Sequence, residues 1–79
     1  MQDYWHKFDL LCSELKKNGQ HDVEYELRKA QGYVNGLTDG WYDFLNEFNR
    51  ITKSNILTDT PKELADKLIE ILKYRLENK

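Results

Sequence analysis

The densest set of potentially reactive side chains is a row of three acids, Asp39, Asp43 and Glu47, spaced four residues apart. This spacing places side chains on one stripe of an α-helix, where each adjacent like-charged pair costs about 0.2–0.5 kcal/mol. A pattern that opposes local stability is typical of a functional site. Acid catalysis would need one carboxylate in an apolar pocket. Because these three acids lie opposite the predicted core, we expect them not to serve as proton donors.

Nucleophilic or metal chemistry would have to use the single cysteine and the two histidines. His6 lies about 240° around the same predicted helix from Cys12, so only a distant segment such as that of His21 could supply a base. A lone cysteine on an apolar flank is typical of a small buried hydrophobe. Neither histidine has a second ligand at helical spacing. The sequence therefore predicts no catalytic, cofactor-binding or metal-binding residue, and no enzyme.

Length and charge limit the class of protein. A chain of 79 residues with a net charge of −2 predicts one domain, 1–79, and gives no general attraction to nucleic acid or to an anionic membrane. The bases of the last segment alternate with acids at the spacing of intrahelical pairs, such as Glu63 with Lys67 and Glu70 with Lys73. We expect a small soluble protein without a membrane span and, with one cysteine, a cytoplasmic location.

Backbone signals divide the chain into four amphipathic segments, and no strand pattern competes. The segments comprise about residues 3–18, 21–35, 38–53 and 60–77. Gly36 can adopt the left-handed conformation that ends a helix. Thr38 is expected to cap the third helix, with Leu37 and Tyr42 in the positions of a hydrophobic staple. Pro61, after a capping threonine, suits the first turn of the fourth helix.

Each segment has one apolar stripe, and short connections force neighbouring helices to run antiparallel. The sequence therefore predicts an all-α fold, a compact bundle of four short antiparallel helices. Its predicted core comprises Tyr4, Trp5, Phe8, Leu11, Cys12, Leu15, Val23, Leu27, Ala30, Val34, Trp41, Phe44, Leu45, Phe48, Ile51, Leu64, Ala65, Leu68, Ile69, Ile71, Leu72 and Leu76.

Two glycines raise questions that the sequence leaves open. Gly40 falls in the first turn of the third segment, where packing is expected to be light. Gly32 lies inside the second segment, where glycine costs about 1 kcal/mol relative to alanine. Either the second helix loosens at Gly32, or an external group approaches closely there.

An acidic surface bearing tyrosines is the main candidate for binding. Between residues 22 and 49 there are six acids against two bases. Tyrosine offers contact area with a polar tip and is enriched at interfaces. If the second and third helices share a face, three tyrosines would lie on one surface rimmed by carboxylates. The candidate partner-binding residues are Asp22, Tyr25, Glu26, Tyr33, Asp39, Tyr42, Asp43 and Glu47. The alternative interpretation is an ordinary solvated helix face, with Arg50 relieving part of the repulsion.

The first functional hypothesis is a non-catalytic protein-binding module, an inhibitor or neutraliser of a basic protein. In size, helicity and acidic balance the chain is similar to small bacterial immunity-type proteins, which bind and block toxin domains; the stretch Leu11–Gly19 prompts this comparison. The similarity implies a bacterial or phage protein and carries no functional residue across. The alternative hypothesis is a structural or assembly protein that forms a homodimer through exposed apolar and aromatic residues, Leu10 and Tyr74 among them.

Overall fold

Four α-helices make up the computed structural model, which describes residues 2–36, 38–57 and 59–77. The helices are α1 (Gln2–Lys17), α2 (His21–Gln31), α3 (Thr38–Ser54) and α4 (Asp59–Glu77). The predicted all-α fold is confirmed, and the described part of the chain contains no strand. The predicted hydrophobic staple of Leu37 and the capping side chain of Thr38 lie outside the described residues and side chains.

The helices form an antiparallel ring in which α1 contacts α2 and α4, and α3 contacts the same two helices. Tyr42, near the start of α3, donates a hydrogen bond to the carbonyl oxygen of Leu76, near the end of α4, at 3.1 Å. At the opposite end of the bundle, Gln20 Nε2 donates to the carbonyl oxygen of Ile56 at 3.0 Å. The first contact joins the start of α3 to the end of α4, and the second joins the α1–α2 and α3–α4 connections, as expected for helices that alternate in direction.

Aromatic rings fill the centre of the bundle and join α1 to α3 across its diagonal. Trp5 stacks on Trp41 with ring centroids 5.3 Å apart, and Phe8 meets Phe44 edge to face at 5.6 Å. Tyr4 belongs to the same cluster, and its hydroxyl group donates to the carbonyl oxygen of Leu68 at 3.2 Å. We call this cluster the aromatic seam; its members are Tyr4, Trp5, Phe8, Trp41, Phe44 and Phe48.

The predicted apolar stripes account for nearly all of the buried side chains. The predicted core residues are buried or half-buried without exception, and Cys12 is a buried core residue as expected. Two buried side chains were not predicted. Leu57 lies in the connection before α4, and Pro61 lies in the first turn of α4. Both residues pack inward where the chain turns back onto the core. The apolar periodicity of a helix does not predict burial at such a turn.

The second helix is shorter than predicted and ends at Gln31, not at residue 35. The amide of Gly32 donates to the carbonyl oxygen of Lys29 at 3.0 Å, and the amide of Tyr33 donates to that of Ala30 at 3.0 Å. These bonds span three residues, as in the tight last turn of a helix. Loosening at Gly32 is therefore the correct interpretation, since glycine is a poor helix former.

Gly40 lies at a close contact between α3 and the turn after α2, so the expectation of light packing there is wrong. The residue is buried, and a Cβ atom added to it would overlap the carbonyl oxygen of Tyr33. It would also lie 3.2 Å from Oδ1 of Asn35. Glycine is required here because the backbone of the turn approaches within the space that any side chain would occupy.

None of the described helices is both long enough and apolar enough to cross a membrane.

Candidate partner-binding surface

The antiparallel packing of α2 and α3 creates a narrow groove from residues that are distant in the sequence. Its volume is about 100 Å³. Glu26 and Tyr33 form one wall, Glu47 and Arg50 form the other, and Lys29 lies at the edge. The second and third helices thus share a face, as expected. Three of the predicted surface residues, Glu26, Tyr33 and Glu47, line the groove. We call this groove and the exposed residues beside it the α2–α3 face.

A charged pair lies inside the groove. Arg50 Nε donates a hydrogen bond to Glu47 Oε2 at 2.6 Å. This bond, with the charge of Glu47, raises the pKa of Arg50, and the charge of Glu26 acts in the same direction. The predicted relief of acidic repulsion by Arg50 is confirmed. Arg50 thus offsets the charge of Glu47, whereas Lys29 Nζ lies near the ring of Tyr25.

The rim consists of exposed aspartates. Asp22 extends the stripe of Glu26 along α2, while Asp39 and Asp43 extend the stripe of Glu47 along α3. Among the described residues, none of the three aspartates forms an ion pair. With Glu26 and Glu47, five carboxylates stand against Lys29 and Arg50, which leaves the α2–α3 face with a formal charge of −3.

Arg28 does not reduce that charge, because it turns towards α1. Its Nη1 atom contacts Asp9 Oδ1 at 2.8 Å, and its Nε atom lies 3.4 Å from Glu24 Oε2. The guanidinium group also lies over the ring of Phe8, 5.5 Å from its centroid. The hydrogen bond to Asp9 raises the pKa of Arg28, although partial burial opposes this. One of the two bases counted in the middle of the sequence therefore belongs to the opposite side of α2.

Two tyrosines of the α2–α3 face offer aromatic contact area to a partner. Tyr25 is 64% exposed and Tyr33 is 48% exposed. Tyr33 lines the groove, whereas Tyr25 lies on the outer side of α2 with Lys29 Nζ 5.8 Å from its ring centroid. An aromatic side chain beside carboxylates suits a partner's arginine, which can stack on the ring and pair with the acid.

Tyr42 lies elsewhere, so the expectation of one surface with three tyrosines is wrong. Its hydroxyl group donates to the carbonyl oxygen of Leu76, which holds the ring on the α4 side of α3. Leu45 and Asn49, three and seven positions further on, share that side. This spacing was visible in the sequence, but the identity of the neighbouring helix was not.

Cys12, the cysteine considered as a nucleophile, lies in the core and not on the α2–α3 face. Burial raises the pKa of the Cys12 thiol to about 11, so it is almost entirely protonated at neutral pH. Within residues 2–36, 38–57 and 59–77, no three histidine, cysteine or carboxylate side chains come close enough to hold a metal ion. The face therefore presents charge, hydrogen-bond acceptors and aromatic surface to the solvent.

Lys29 and Arg50 were not among the residues predicted for the candidate surface. Both line the groove. The three-residue spacing from Glu47 to Arg50 was the available signal for the ion pair, whereas no signal within one helix places Lys29 near α3.

Comparisons of this chain with protein-family models, with curated protein sequences and with solved structures found no significant match. Its function is therefore inferred from its own residues and geometry.

Proposed function

We propose that this protein is a non-catalytic binding module that docks onto a basic protein through the α2–α3 face. The contact residues are Asp22, Tyr25, Glu26, Tyr33, Asp39, Asp43 and Glu47. Tyr42 takes no central part, since it lies on the α4 side of α3. By covering a basic surface, the module inhibits or neutralises its partner, as sterically and electrostatically complementary proteins do.

The observation that carries this proposal is the separation of paired and unpaired charge on one face. Glu47 is paired with Arg50 inside the groove, whereas Asp22 and Asp43 are exposed at its rim. Carboxylates that have no ion-pair partner among the described residues keep their charge available for a basic partner. Such charges accelerate association by steering and make the association rate sensitive to salt.

Tyr33 is the expected centre of the contact. It is half exposed and lines the groove, with Glu26 on the same wall and Glu47 on the opposite wall. A partner's arginine that stacks on this ring would reach both carboxylates. Tyrosine and arginine are enriched among residues whose truncation costs 2 kcal/mol or more.

We also propose that the protein works in the cytoplasm. Cys12 is a free thiol buried in the core, and the chain contains no second cysteine with which it could form an internal disulfide. Such cysteine usage suits a reducing compartment.

The test is affinity purification with three immobilised baits, followed by measurement of the affinity for any protein recovered. The baits are the unmodified protein, a Tyr33→Ala/Asp43→Lys variant, and a matched Tyr74→Ala/Glu77→Lys variant altered on α4. We expect the unmodified and α4-altered baits to retain the partner. The variant of the α2–α3 face should bind at least about 30-fold more weakly.

Measuring the association rate at several salt concentrations tests whether the contact is electrostatic. We expect the association rate of the unmodified protein to fall steeply as the ionic strength rises, and that of the Tyr33→Ala/Asp43→Lys variant to fall less. A partner that binds all three baits with equal affinity would exclude the α2–α3 face as the docking surface.

A further inference from the structure

The outer side of α4 carries an exposed stripe that the α2–α3 face does not use. Tyr74 is 69% exposed on this stripe, and Ile71 is half-buried beside it. With Glu63, Lys67 and Glu70 these residues line a shallow groove of about 600 Å³. Since α4 packs on α1 and α3 but not on α2, the stripe lies apart from the α2–α3 face.

Among the described residues Glu63, Lys67 and Glu70 form no ion pair, whereas Asp66, which also lines the groove, pairs with Lys62. The pairs expected from the sequence, Glu63 with Lys67 and Glu70 with Lys73, do not form. Lys62 Nζ instead pairs with Asp66 Oδ2, one turn further along α4, at 3.2 Å. The two glutamates and Lys67 therefore remain available for another molecule.

The order of residues along the stripe makes it complementary to itself. When two copies of α4 are laid antiparallel about a two-fold axis between positions 68 and 69, Lys67 of each copy faces Glu70 of the other. Tyr74 then faces Glu63, whose carboxylate can accept a hydrogen bond from the phenol. The two-fold axis generates each contact twice, and Ile71 lies beside the axis as apolar contact area.

We propose that a second copy of this chain docks on the outer stripe of α4, forming an antiparallel two-fold dimer. The dimer is weak, because a single helix pair buries less surface than the roughly 1,200 Å² of the smallest stable interfaces. Self-association also adds burial to a domain whose own core is small. In the dimer both α2–α3 faces stay open, because neither belongs to the contact.

Sedimentation velocity over about 10 μM to 1 mM tests the association itself. We expect the mass of the unmodified protein to rise from that of one chain, 9.5 kDa, towards twice that value across this range. Tyr74→Ser should remain a single chain throughout. Ile56→Ser is the control because this large apolar side chain is 85% exposed but lies in the connection between α3 and α4, and it should associate as the unmodified protein does.

A charge-swap mixture tests the antiparallel register. In this register Lys67→Glu places an acid opposite Glu70 of the second copy, and Glu70→Lys places a base opposite Lys67, so each variant alone should repel its own copies and remain monomeric. An equimolar mixture should associate, because each acidic stripe then meets a basic one. Mixing cannot repair a defect within a single chain, and circular dichroism of each variant confirms that it is folded.

Two results would overturn the dimer. One is an unmodified protein that stays at the mass of a single chain up to about 1 mM. The other is a mixture of Lys67→Glu and Glu70→Lys chains that associates no more strongly than either variant alone.

Discussion

The aromatic seam and the α2–α3 face both join helices, but they do so with different chemistry. In the seam, Phe8, Phe44 and Phe48 are fully buried and their rings meet at 5.5 to 6.0 Å. At the face, Glu47 and Arg50 form their ion pair with 30% and 54% of their side chains exposed. The seam excludes water, whereas the face remains solvated.

This difference implies a division of roles within a small domain. Buried aromatic pairs contribute about 0.5–1.5 kcal/mol each beyond their burial, while exposed ion pairs contribute little to stability. The α2–α3 face is therefore free to vary without unfolding the bundle. Substitutions in the two regions should separate stability from recognition.

The largest effect is expected from removing a ring of the seam. Phe44→Ala leaves a cavity among Phe8, Trp41 and Phe48, and should lower the free energy of unfolding by about 3–5 kcal/mol. Urea denaturation followed by circular dichroism measures this loss. Phe44→Leu, which keeps most of the volume, should cost about 1 kcal/mol. Equal losses for the two variants would show that ring packing is not the source of stability.

Alkaline pH should weaken the core. Burial raises the pKa of Cys12 from 9.0 to about 11, so the unfolded chain loses this proton at lower pH than the folded chain does. The associated stability is fully present below pH 9 and is lost as the pH rises through about 11. The expected loss is about 2–3 kcal/mol. Burial also raises the pKa of Tyr4, which extends the decline above pH 10.

Urea denaturation between pH 8 and 11 measures this dependence. Cys12→Ala is the control, because it removes the titrating thiol while keeping a small apolar side chain. Its stability should fall less steeply between pH 9 and 11 than that of the unmodified protein. Parallel curves for the two proteins would mean that Cys12 does not contribute to the pH dependence.

A smaller effect is expected at Gly40, where α3 closely contacts the turn after α2. Gly40→Ala would bring a methyl group against the carbonyl oxygen of Tyr33, so α3 must move away from the turn after α2. We expect a loss of about 1–3 kcal/mol, measured by urea denaturation. Gly32→Ala lies at an exposed turn position with an ordinary φ of −65°, and its Cβ atom would lie 3.1 Å from the carbonyl oxygen of Lys29, which a small shift relieves; it should change stability by less than about 1 kcal/mol. A Gly40→Ala protein as stable as the unmodified one would refute the close contact.

The smallest effect is expected on the face itself. Glu47→Gln removes the charge that pairs with Arg50 while keeping the size of the side chain. Because this pair is solvated, we expect the melting temperature measured by circular dichroism to stay within experimental error. A shift of several degrees would show that the α2–α3 face contributes to stability, against the division of roles between the face and the aromatic seam.

The elements and the core followed from the sequence because they depend on local spacing. Leu11 and Leu15, or Leu68 and Leu72, stand four residues apart, and such residues lie on one side of a helix whatever surrounds it. Gly19, at φ 76°, likewise marks the end of α1 as a local conformational signal, whereas Gly36, at φ 93°, lies in the connection after α2 and does not end that helix as expected. Gly32 carried the signal for the early end of α2, although its two interpretations could not be separated without the structure.

The composition of the α2–α3 face could be predicted only in part. The acids Glu26 and Glu47 and the ring of Tyr33 were identified, and the structure brings them into one groove. Tyr42 was assigned to the same surface but lies against α4, and Arg28 was counted as a neighbouring charge but pairs with Asp9. A helical projection gives the direction of a side chain from its own axis, without saying which helix lies in that direction.

The sequence alone determined that this chain forms four amphipathic helices around one apolar core, because burial follows from periodicity within each helix. Tertiary structure alone decided that α2 and α3 form a groove, that Tyr42 reaches Leu76, and that Gly40 must lack a side chain. These three features depend on distances between groups far apart in the sequence. Such distances are set by how the helices pack, and no local pattern specifies them.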